Sequence, residues 1–494
     1  MFDDFVGSDS TPLFKSASSN SSIIHLLWGD GVNFDGNSRS NGRRKVKTRG
    51  GITGWVEEAA LGGESLLEFY FIDVGQGDGV LIKTPNFRHL MIDGGFPRTI
   101  QDTGKNAADF VDWKFFKDYG MSTIEIDTML VSHCDADHYG GLWDLLDTAK
   151  IDELDSQGVT VEELCHAGLS WWKNSSGNKT LGPFESVDGE KFWTRLLGNR
   201  SSVGTALGSG GSSPKLHGWW RNFMNVAHKT KKKDGSPTSI NRLSHADNFV
   251  PGYEPDSANE PSIRILGPVE FEVDGKPALR RFSGGNSKNT NGVSLLLRVD
   301  YGRTRIMLTG DLNKASQKAL LDDYAGERIE FECDVAKGCH HGSDDISYEF
   351  LQAMRPAATV ISSGDNEGHD HPRPSVIAAS ATTGFLELKD GDLVTPLVYC
   401  TELGRSVDLG FPKKFVKKDA SGNVEDQVSG ASLDRCDLEI KKAKKDKVSM
   451  EEAMVVGGLI YGLINVRTDG DKILCATLDE SNSKWRTKSF RSRF

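Results

Sequence analysis

The segment SHCDADHYGG at residues 132–141 brings together two histidines and two aspartates, His133, Asp135, Asp137 and His138. It follows the apolar run IDTMLVS, which is typical of a buried strand, and precedes GLWDLLDTA, whose leucines fall on one helical stripe. Loops at the carboxyl ends of strands are where α/β proteins build their sites. The segment therefore predicts a metal site with nitrogen and oxygen ligands, and a polar surface turn is the alternative.

Further candidate ligands occur where other apolar strands end. Asp93 ends HLMIDGG, Asp311 ends RIMLTGD, and His340 with His341 ends CDVAKGCHHGS. Any one of these taken alone is more often a cap or turn residue. Several strand-end groups of metal-type ligands in one chain favour a shared metal centre at the edge of a sheet.

Bulk composition limits the protein class. A chain of 494 residues is expected to hold two or three domains, and 37% hydrophobic with 26% charged residues is typical of a globular protein. The sequence shows neither a membrane-spanning apolar run nor an N-terminal signal pattern. Seven cysteines without a CxxC pair favour reduced thiols, a cytoplasmic location and no cysteine zinc site. The net charge of −11 confines any nucleic-acid contact to a local basic patch.

The successive motifs resemble those of a known hydrolase superfamily. SHCDADHYGGL, MIDGGF, IMLTGDL and KGCHHGS are similar to the motifs of the metallo-β-lactamase fold. FIDVGQGDGVLI, NGVSLLL and HPRP narrow the resemblance to the competence-protein (ComEC-like) branch, whose founding members carry this hydrolase domain on a DNA-uptake channel. The resemblance implies an α/β fold, a four-layer αββα sandwich with a two-metal site on one edge.

The resemblance covers only the hydrolase domain, and composition with strand patterns predicts the rest of the domain organisation. The expected parts are a disordered tail (1–22), a small β module resembling SH3-like barrels (23–65), the hydrolase domain (66–150 and 260–410), a Trp-rich insertion (151–259) and a C-terminal extension with a helix-prone stretch and a β-hairpin (411–494). A hairpin that only decorates the hydrolase domain is the alternative for the segment before residue 66.

Metal ligands are carried over from the family motif by motif. The implied ligands are His133 and Asp135 for the first metal, Asp137 and His138 for the second, Asp311 as the bridge, and His340 as the last second-site ligand. His341 competes with His340 for that role. Asp135 and Asn291 stand where most of the superfamily has histidine, which makes the first site oxygen-rich and favours manganese or magnesium over zinc.

Other residues have implied supporting roles. Asp93 would orient ligands, while Asp73, Gln76 and Asp78 of DVGQGD would order the loop or contact substrate, or form a plain turn. His371 of GHDHPRP matches the family's glycine-His-Pro position as the general acid. His369 is its rival because this chain has two extra residues there.

The resemblance implies a two-metal hydrolase, with two divalent ions (Mn²⁺ or Zn²⁺) as cofactors. The leading hypothesis is a phosphodiesterase that cleaves nucleic acid through a metal-bridging hydroxide, with Asp137 accepting the water's proton. The first alternative is a hydrolase of small molecules such as cyclic nucleotides, phosphoesters, lactones or thioesters. The second is a non-enzymatic binding module that the metal stabilises.

The insertion carries five of the ten tryptophans (171, 172, 193, 219 and 220) and the lysine run KTKKK at 229–233. These residues could stack bases and grip phosphates, as in single-strand binders. The favoured interpretation is that most of the tryptophans form the core of a small subdomain and that the lysines are solvated.

Overall fold

A computed structural model describes residues 2–101, 104–208, 214–255, 260–364, 371–389, 392–393, 396–401, 408–410, 414–418, 421, 423–429, 436–439, 447–450, 455–457, 462–479 and 484–494. The chain divides into two units. Met1–Glu402 and Gly462–Phe494 form one unit, and Leu403–Tyr461 forms the other.

Strands account for most of the described regular structure. In chain order they are β1 (Asp4–Phe5), β2 (Ser10–Phe14), β3 (Ser22–Leu27), β4 (Gly31–Ser40), β5 (Arg43–Thr48), β6 (Thr53–Glu57), β7 (Leu67–Phe71), β8 (Val80–Lys83), β9 (His89–Ile92), β10 (Thr123–Val131), β11 (Gly158–His166), β12 (Trp172–Lys173), β13 (Lys179–Thr180), β14 (Phe184–Val187), β15 (Glu190–Trp193), β16 (Ser239–Arg242), β17 (Ser262–Gly267), β18 (Glu270–Val273), β19 (Lys276–Arg280), β20 (Leu296–Tyr301), β21 (Thr304–Leu308), β22 (Val335–Lys337), β23 (Ala358–Ile361), β24 (Leu388–Lys389), β25 (Asp392–Leu393), β26 (Leu397–Cys400), β27 (Asp408–Gly410), β28 (Lys414–Lys418), β29 (Val424–Ser429), β30 (Cys436–Glu439), β31 (Lys447–Met450), β32 (Val455–Gly457), β33 (Ile464–Thr468), β34 (Lys472–Asp479) and β35 (Lys484–Arg491).

The described α-helices are short. They are α1 (Ala107–Trp113), α2 (Ala136–Leu146), α3 (Arg200–Leu207), α4 (Gly218–Lys229), α5 (Asn286–Gly292), α6 (Lys314–Asp323), α7 (Tyr348–Met354) and α8 (Pro374–Thr383). Among the described residues, no helix is both long enough and apolar enough to cross a bilayer.

Two mixed sheets form the centre of the larger unit. The first has nine strands in the order β16-β11-β10-β9-β8-β7-β33-β34-β35, and the second has six in the order β17-β20-β21-β22-β23-β26. The run β16-β11-β10-β9 is parallel, as is the run β21-β22-β23-β26. Neighbouring parallel strands end at the same edge of a sheet, so the loops that follow these strands lie together at that edge.

Three apolar cores define four layers. One core lies between the sheets and includes Phe69 and Ile82 from the first sheet and Val299 and Val360 from the second. A second core joins the outer face of the nine-stranded sheet to α1, α2 and α4. A third joins the outer face of the six-stranded sheet to α6 and α7. The order helix, sheet, sheet, helix confirms the predicted αββα sandwich.

The N-terminal region differs from its prediction. Strands β1 and β2 occupy the segment predicted to be a mobile tail, and they join a six-stranded antiparallel sheet in the order β1-β4-β5-β6-β2-β3. The segment is rich in Ser, Asn and Asp, but its few apolar residues are well placed. Val6 and Leu13 are fully buried in the core of this sheet. Tail-like composition was misleading because two well-placed apolar side chains are enough to anchor these short strands.

Two other predicted boundaries also differ. The segment predicted as an insertion supplies β11 and β16 to the nine-stranded sheet, and the predicted C-terminal extension supplies β33, β34 and β35. The helix-prone stretch instead contains an antiparallel pair, β30 with β31, and residues 440–446 between them lie outside the described residues. Sheet membership depends on pairing between strands far apart in sequence, which local composition does not report.

Candidate metal centre

The loop after β10 is held against the loop after β9 by glycine contacts. A Cβ on Gly141 would lie 2.0 Å from the Gly94 carbonyl oxygen, so only glycine fits there. The Gly94 amide donates to the carbonyl of His138 at 2.7 Å, and the Gly141 amide donates to Gly95 at 3.0 Å. The two glycines after the His/Asp cluster therefore let α2 begin directly against the neighbouring strand-end loop.

Four side chains from three loops form a compact set of donors. Asp137, His138, Asp311 and His341 each offer an atom within 4.8 Å of the others. Asp311 Oδ2 lies 3.0 Å from His341 Nε2 and 3.3 Å from His138 Nε2. Asp137 Oδ2 lies 3.6 Å from His341 Nε2. Two carboxylates and two imidazoles in this arrangement suit a divalent cation.

The histidine pair is placed in the reverse of the predicted order. His341 is buried and completes the compact set, whereas His340 lies toward Asn291 with its Nε2 3.8 Å from Asp311 Oδ2. Both histidines have left-handed backbones, with φ of 47° and 52°. Such conformations cost about 1–3 kcal/mol each and cluster at functional sites.

A second, looser group is formed by His133, Asp135, Thr290 and Asn291. His133 Nε2 lies 3.7 Å from Asp135 Oδ2, and the Thr290 hydroxyl donates to the same oxygen at 2.5 Å. With its amide oriented to satisfy both neighbours, Asn291 donates to Asp135 Oδ2 at 3.1 Å and accepts from His340 Nε2 at 3.2 Å. The residues predicted for the first metal are therefore adjacent, although less closely gathered than the compact set.

Each histidine of the compact set is held by a buried carboxylate. His138 Nδ1 lies 2.8 Å from Asp93 Oδ2, and Asp93 Oδ1 also accepts from the Ser132 amide at 2.8 Å. His341 Nδ1 lies 3.2 Å from Asp78 Oδ1. Carboxylates behind histidines fix the ring orientation and leave the far nitrogen for a metal. Asp93 thus has the position expected of it, and Asp78 has an equivalent position behind His341.

Sequence reasoning missed Lys337. This lysine ends β22, is 2% exposed, forms a salt bridge with Asp78, and donates to the Gly310 carbonyl at 2.9 Å. It therefore connects the carboxylate behind His341 with the peptide that precedes Asp311. The sequence did contain a signal for this residue, since a lysine interrupts the apolar stretch DVAKGC. A lysine in a buried strand needs a charged partner, because lysine is almost never fully buried without one.

Unsatisfied polar atoms show that the cluster fits a cation. Within the part of the chain that the structure describes, His133 Nε2, His138 Nε2 and Asp311 Oδ1 are buried without a hydrogen-bond partner of good geometry. Buried polar atoms are normally paired, so unpaired imidazole nitrogens and a carboxylate oxygen in one cluster indicate a ligand. The donor set contains no thiolate, which agrees with the predicted nitrogen and oxygen site.

Burial and neighbouring charges shift the pKa values of the cluster residues in different directions, upward for His138 and His341 and downward for His133. Burial, followed by the charge of His138, lowers the pKa of His133 to about 3, so the ring is neutral and able to bind a metal. The pKa of Asp135 is raised to about 6, first by its burial and then by the nearby Asp137 carboxylate, and a bound cation would oppose both effects.

The DVGQGD turn reaches the cluster through its backbone. A Cβ on Gly77 would lie 2.0 Å from the Asp137 carbonyl oxygen, so this turn packs directly against the ligand loop. Gln76 is buried, while Asp73 accepts from the Gly75 amide at 3.3 Å within the turn. Of the three polar residues predicted here, Asp78 lies behind His341, Asp73 bonds to the backbone of the turn, and Gln76 is buried.

One of the two candidate general acids lies beside the cluster. The His371 ring centroid is 5.9 Å from that of His340, in an edge-to-face arrangement, and the side chain is half-buried. His369 lies outside the described residues.

Most tryptophans of the 151–259 segment are structural, as the favoured interpretation predicts. Trp171, Trp172, Trp193 and Trp220 are buried in the core beside α2 and α4, while Trp219 is 43% exposed. Trp171 also reaches the cluster, because its Nε1 donates to the Cys134 carbonyl at 2.9 Å and lies 3.3 Å from Asp135 Oδ1.

The lysine run at 229–233 lies away from the site. Lys233 pairs with Glu125 at 2.7 Å, and its amide donates to Glu162 at 2.8 Å. Glu125 lies near the start of β10, whereas the ligand loop follows the end of that strand. At about 3.3 Å per residue, six residues of strand put the run roughly 20 Å from the loop. A phosphate contact by this run would therefore lie well away from the candidate metal ligands.

Comparison with known proteins supports the family resemblance over a limited span. The chain is 33% identical over 88 residues to ComE operon protein 3 of Bacillus subtilis (strain 168), which is 18% of this chain and 11% of that protein. It is 36% identical over 87 residues to competence protein ComA of Neisseria gonorrhoeae, which is 17% of this chain and 12% of that protein. No family model matches the chain.

The helix, sheet, sheet, helix order of layers and the donors at strand ends are the features expected of the predicted fold. The chain has the metallo-β-lactamase fold. Among solved structures, a metal-dependent hydrolase of the beta-lactamase superfamily matches 63% of this chain and 91% of its own, with 12% identity and a TM-score of 0.29. The assignment rests on the αββα layers, the ligand cluster and the similarity to competence proteins.

Proposed function

We propose that this chain is a metal-dependent hydrolase that uses two divalent ions to cleave phosphodiesters, with nucleic acid as its substrate. One observation carries the proposal. Asp311 Oδ2 lies within 3.8 Å of ring nitrogens of His138, His341 and His340, so donors from both halves of the cluster converge on one carboxylate. A carboxylate in that position can serve two ions at once.

The residues that would hold the ions form two sets that share Asp311. The proposed ligands are Asp137, His138, Asp311 and His341 for one ion, and His133, Asp135, Asp311 and His340 with Asn291 nearby for the other. Bound divalent ions would supply Lewis-acid stabilisation of the charge that develops on the phosphate oxygens. The oxygen-rich second set favours manganese over zinc there.

The side chains around the ions have separate tasks. Asp137 keeps 15% of its side chain exposed, so its carboxylate can reach a water or the substrate and accept a proton. His371, beside His340, would donate a proton to the leaving oxygen. Asp78 and Asp93 keep His341 and His138 in fixed orientations, which limits the motion of the donors during turnover.

One finding supports nucleic acid as the substrate, because the relatives that this chain matches are competence proteins. A small-molecule hydrolase of the same fold is the competing possibility.

A substrate panel tests the proposal. The protein, reconstituted with Mn²⁺ and separately with Zn²⁺, is assayed on single- and double-stranded DNA, RNA, cyclic dinucleotides and bis-p-nitrophenyl phosphate. We expect hydrolysis of a nucleic acid and of the chromogenic diester, with more activity in Mn²⁺. Hydrolysis of cyclic dinucleotides with intact polymers left untouched would contradict the nucleic-acid assignment, and hydrolysis of no diester would contradict the phosphodiesterase itself.

A further inference from the structure

A small hairpin beside the metal centre carries two lysines in an unusual arrangement. Strands β12 and β13 pair antiparallel, and Lys173 stands directly opposite Lys179. Like charges directly opposite each other in an antiparallel pair are destabilising. Both side chains are exposed, and among the described residues neither ammonium group forms a salt bridge. We call residues 172–180 the lysine hairpin.

The lysine hairpin is connected to the candidate ligands by one indole ring. Lys179 Nζ lies 3.5 Å from the centre of the Trp171 ring, and Trp171 Nε1 lies 3.3 Å from Asp135 Oδ1. The exposed cation is therefore one side chain away from Asp135, a candidate metal ligand that is itself half-buried. This position suits a contact with the phosphate next to the one being cleaved.

The surrounding sequence keeps this region free of negative charge. Residues 164–184 contain no aspartate or glutamate, in a chain that has 70 of them in 494 residues. In contrast, the lysine run at 229–233 lies against Glu125 and Glu162 and is partly neutralised. Of the two basic segments in this part of the chain, only the lysine hairpin has unneutralised charge beside the cluster.

We infer that the lysine hairpin binds the phosphate backbone of a single-stranded polynucleotide and guides it across the metal centre. This inference rests on the proposed function and deepens it by selecting a polymeric substrate over a small diester. Trp171 holds the hairpin to the ligand loop, while Lys173 and Lys179 each contact a phosphate. A cross-strand lysine pair is stabilised when a polyanion lies over it, which accounts for an arrangement that is unfavourable alone.

The experiment compares two double variants of the full-length protein that remove the same charge. Lys173→Ser with Lys179→Ser changes the hairpin, and Lys231→Ser with Lys232→Ser changes the distant lysine run. Binding of a fluorescent 20-mer single-stranded oligonucleotide is measured in chelator over a range of salt concentrations, so the result does not depend on hydrolysis. Steady-state rates are then measured on the oligonucleotide and on bis-p-nitrophenyl phosphate.

We expect the hairpin variant to bind the oligonucleotide between about threefold and thirtyfold more weakly, since an exposed ion pair is worth up to about 1 kcal/mol. Its salt slope should fall by about 1.4, because each single-strand phosphate contact contributes about 0.7. The KM for the oligonucleotide should rise with little change on the chromogenic diester, and the Lys231/Lys232 variant should match the wild type. Replacing Lys173 and Lys179 with arginine should retain binding, because arginine keeps the charge.

Unchanged oligonucleotide affinity and salt slope in the hairpin variant would overturn the inference, as would an equal loss in the Lys231/Lys232 variant. Equal loss on the chromogenic diester and the oligonucleotide would also overturn it, because that result means damage to the metal centre. If the wild type hydrolyses no diester but binding depends on the hairpin as described, the proposed function fails and the binding inference stands.

Discussion

At the residue scale, the metal centre depends on buried charges that neutralise one another. Asp78 is 2% exposed and lies between His341 and Lys337. An uncompensated carboxylate at that depth would cost several kcal/mol, and the ion pair with Lys337 offsets part of that cost. Asp93 has no such lysine and instead accepts from the Ser132 amide and contacts His138. Each carboxylate thus fixes the orientation of one histidine, although the other partner is a lysine for Asp78 and a backbone amide for Asp93.

The general acid can be separated from the ligands by its response to the leaving group. The His371→Ala variant should keep its bound metal. Its rate of hydrolysis of a natural diester should fall about 10²–10⁴-fold, because the leaving oxygen then departs without a proton. Its rate on a nitrophenyl ester should fall far less, because that leaving group needs no proton. Steady-state rates on both substrates, with elemental analysis of each protein, provide the measurement.

His369→Ala is the rival variant in that experiment, and we expect it to behave like the wild type. A leaving-group dependence in His369→Ala and none in His371→Ala would reverse the assignment. Loss of bound metal in His371→Ala would instead make it a ligand.

Individual site residues were predictable where a motif follows an apolar strand. The loop from His133 to His138, Asp93 and Asp311 were recognisable this way, and the structure brings them together. The choice between His340 and His341 was not predictable, because it depends on two left-handed backbone positions that no local pattern reports. Lys337 was missed because a lysine at the end of a strand is usually solvated.

At the element scale, the close packing of α2 against the loop after β9 depends on glycine. Gly141→Ala would place a Cβ 2.0 Å from the Gly94 carbonyl and force the ligand loop away from β9. Overpacking of this kind costs about 1–3 kcal/mol. We therefore expect a lower melting temperature and weaker metal binding, measured by thermal denaturation and by metal titration.

Gly158→Ala is the matched control, because a Cβ on Gly158 would meet no atom within 4 Å. Gly158 begins β11, where alanine is tolerated, so stability and metal affinity should both stay near the wild type. If both variants lost the same stability and metal affinity, tight packing at Gly141 would not be what positions α2.

Elements that form locally were easier to predict than those that pair at long range. The strand before the ligand loop and the helix after it are present as β10 and α2. Strands β11 and β33 were assigned to an insertion and an extension, because their partners lie far away in sequence. Thr468 pairs with Leu67, roughly four hundred residues earlier, and no pattern within either segment indicates that contact.

At the scale of the whole molecule, the C-terminal strands join the N-terminal module to the sandwich. Arg467 on β33 donates to the Trp28 carbonyl and to Asp30 Oδ1, both at 2.7 Å, and lies 3.5 Å from Glu68 on β7. Burial lowers the pKa of Arg467, but Asp30 and Glu68 outweigh that effect and raise it. A buried arginine shared by three segments explains why they form one unit rather than a series of separate modules.

The number of ions bound per chain tests the central claim most directly. After reconstitution with Mn²⁺ and removal of free ion, elemental analysis should find close to two ions per chain. Asp311→Ala should lose both, because it removes the carboxylate proposed to serve the two sites. Asp322→Ala, an exposed carboxylate on α6, should keep both. A wild-type protein that never holds more than one ion, or an Asp311→Ala variant that keeps two, would contradict the two-metal account.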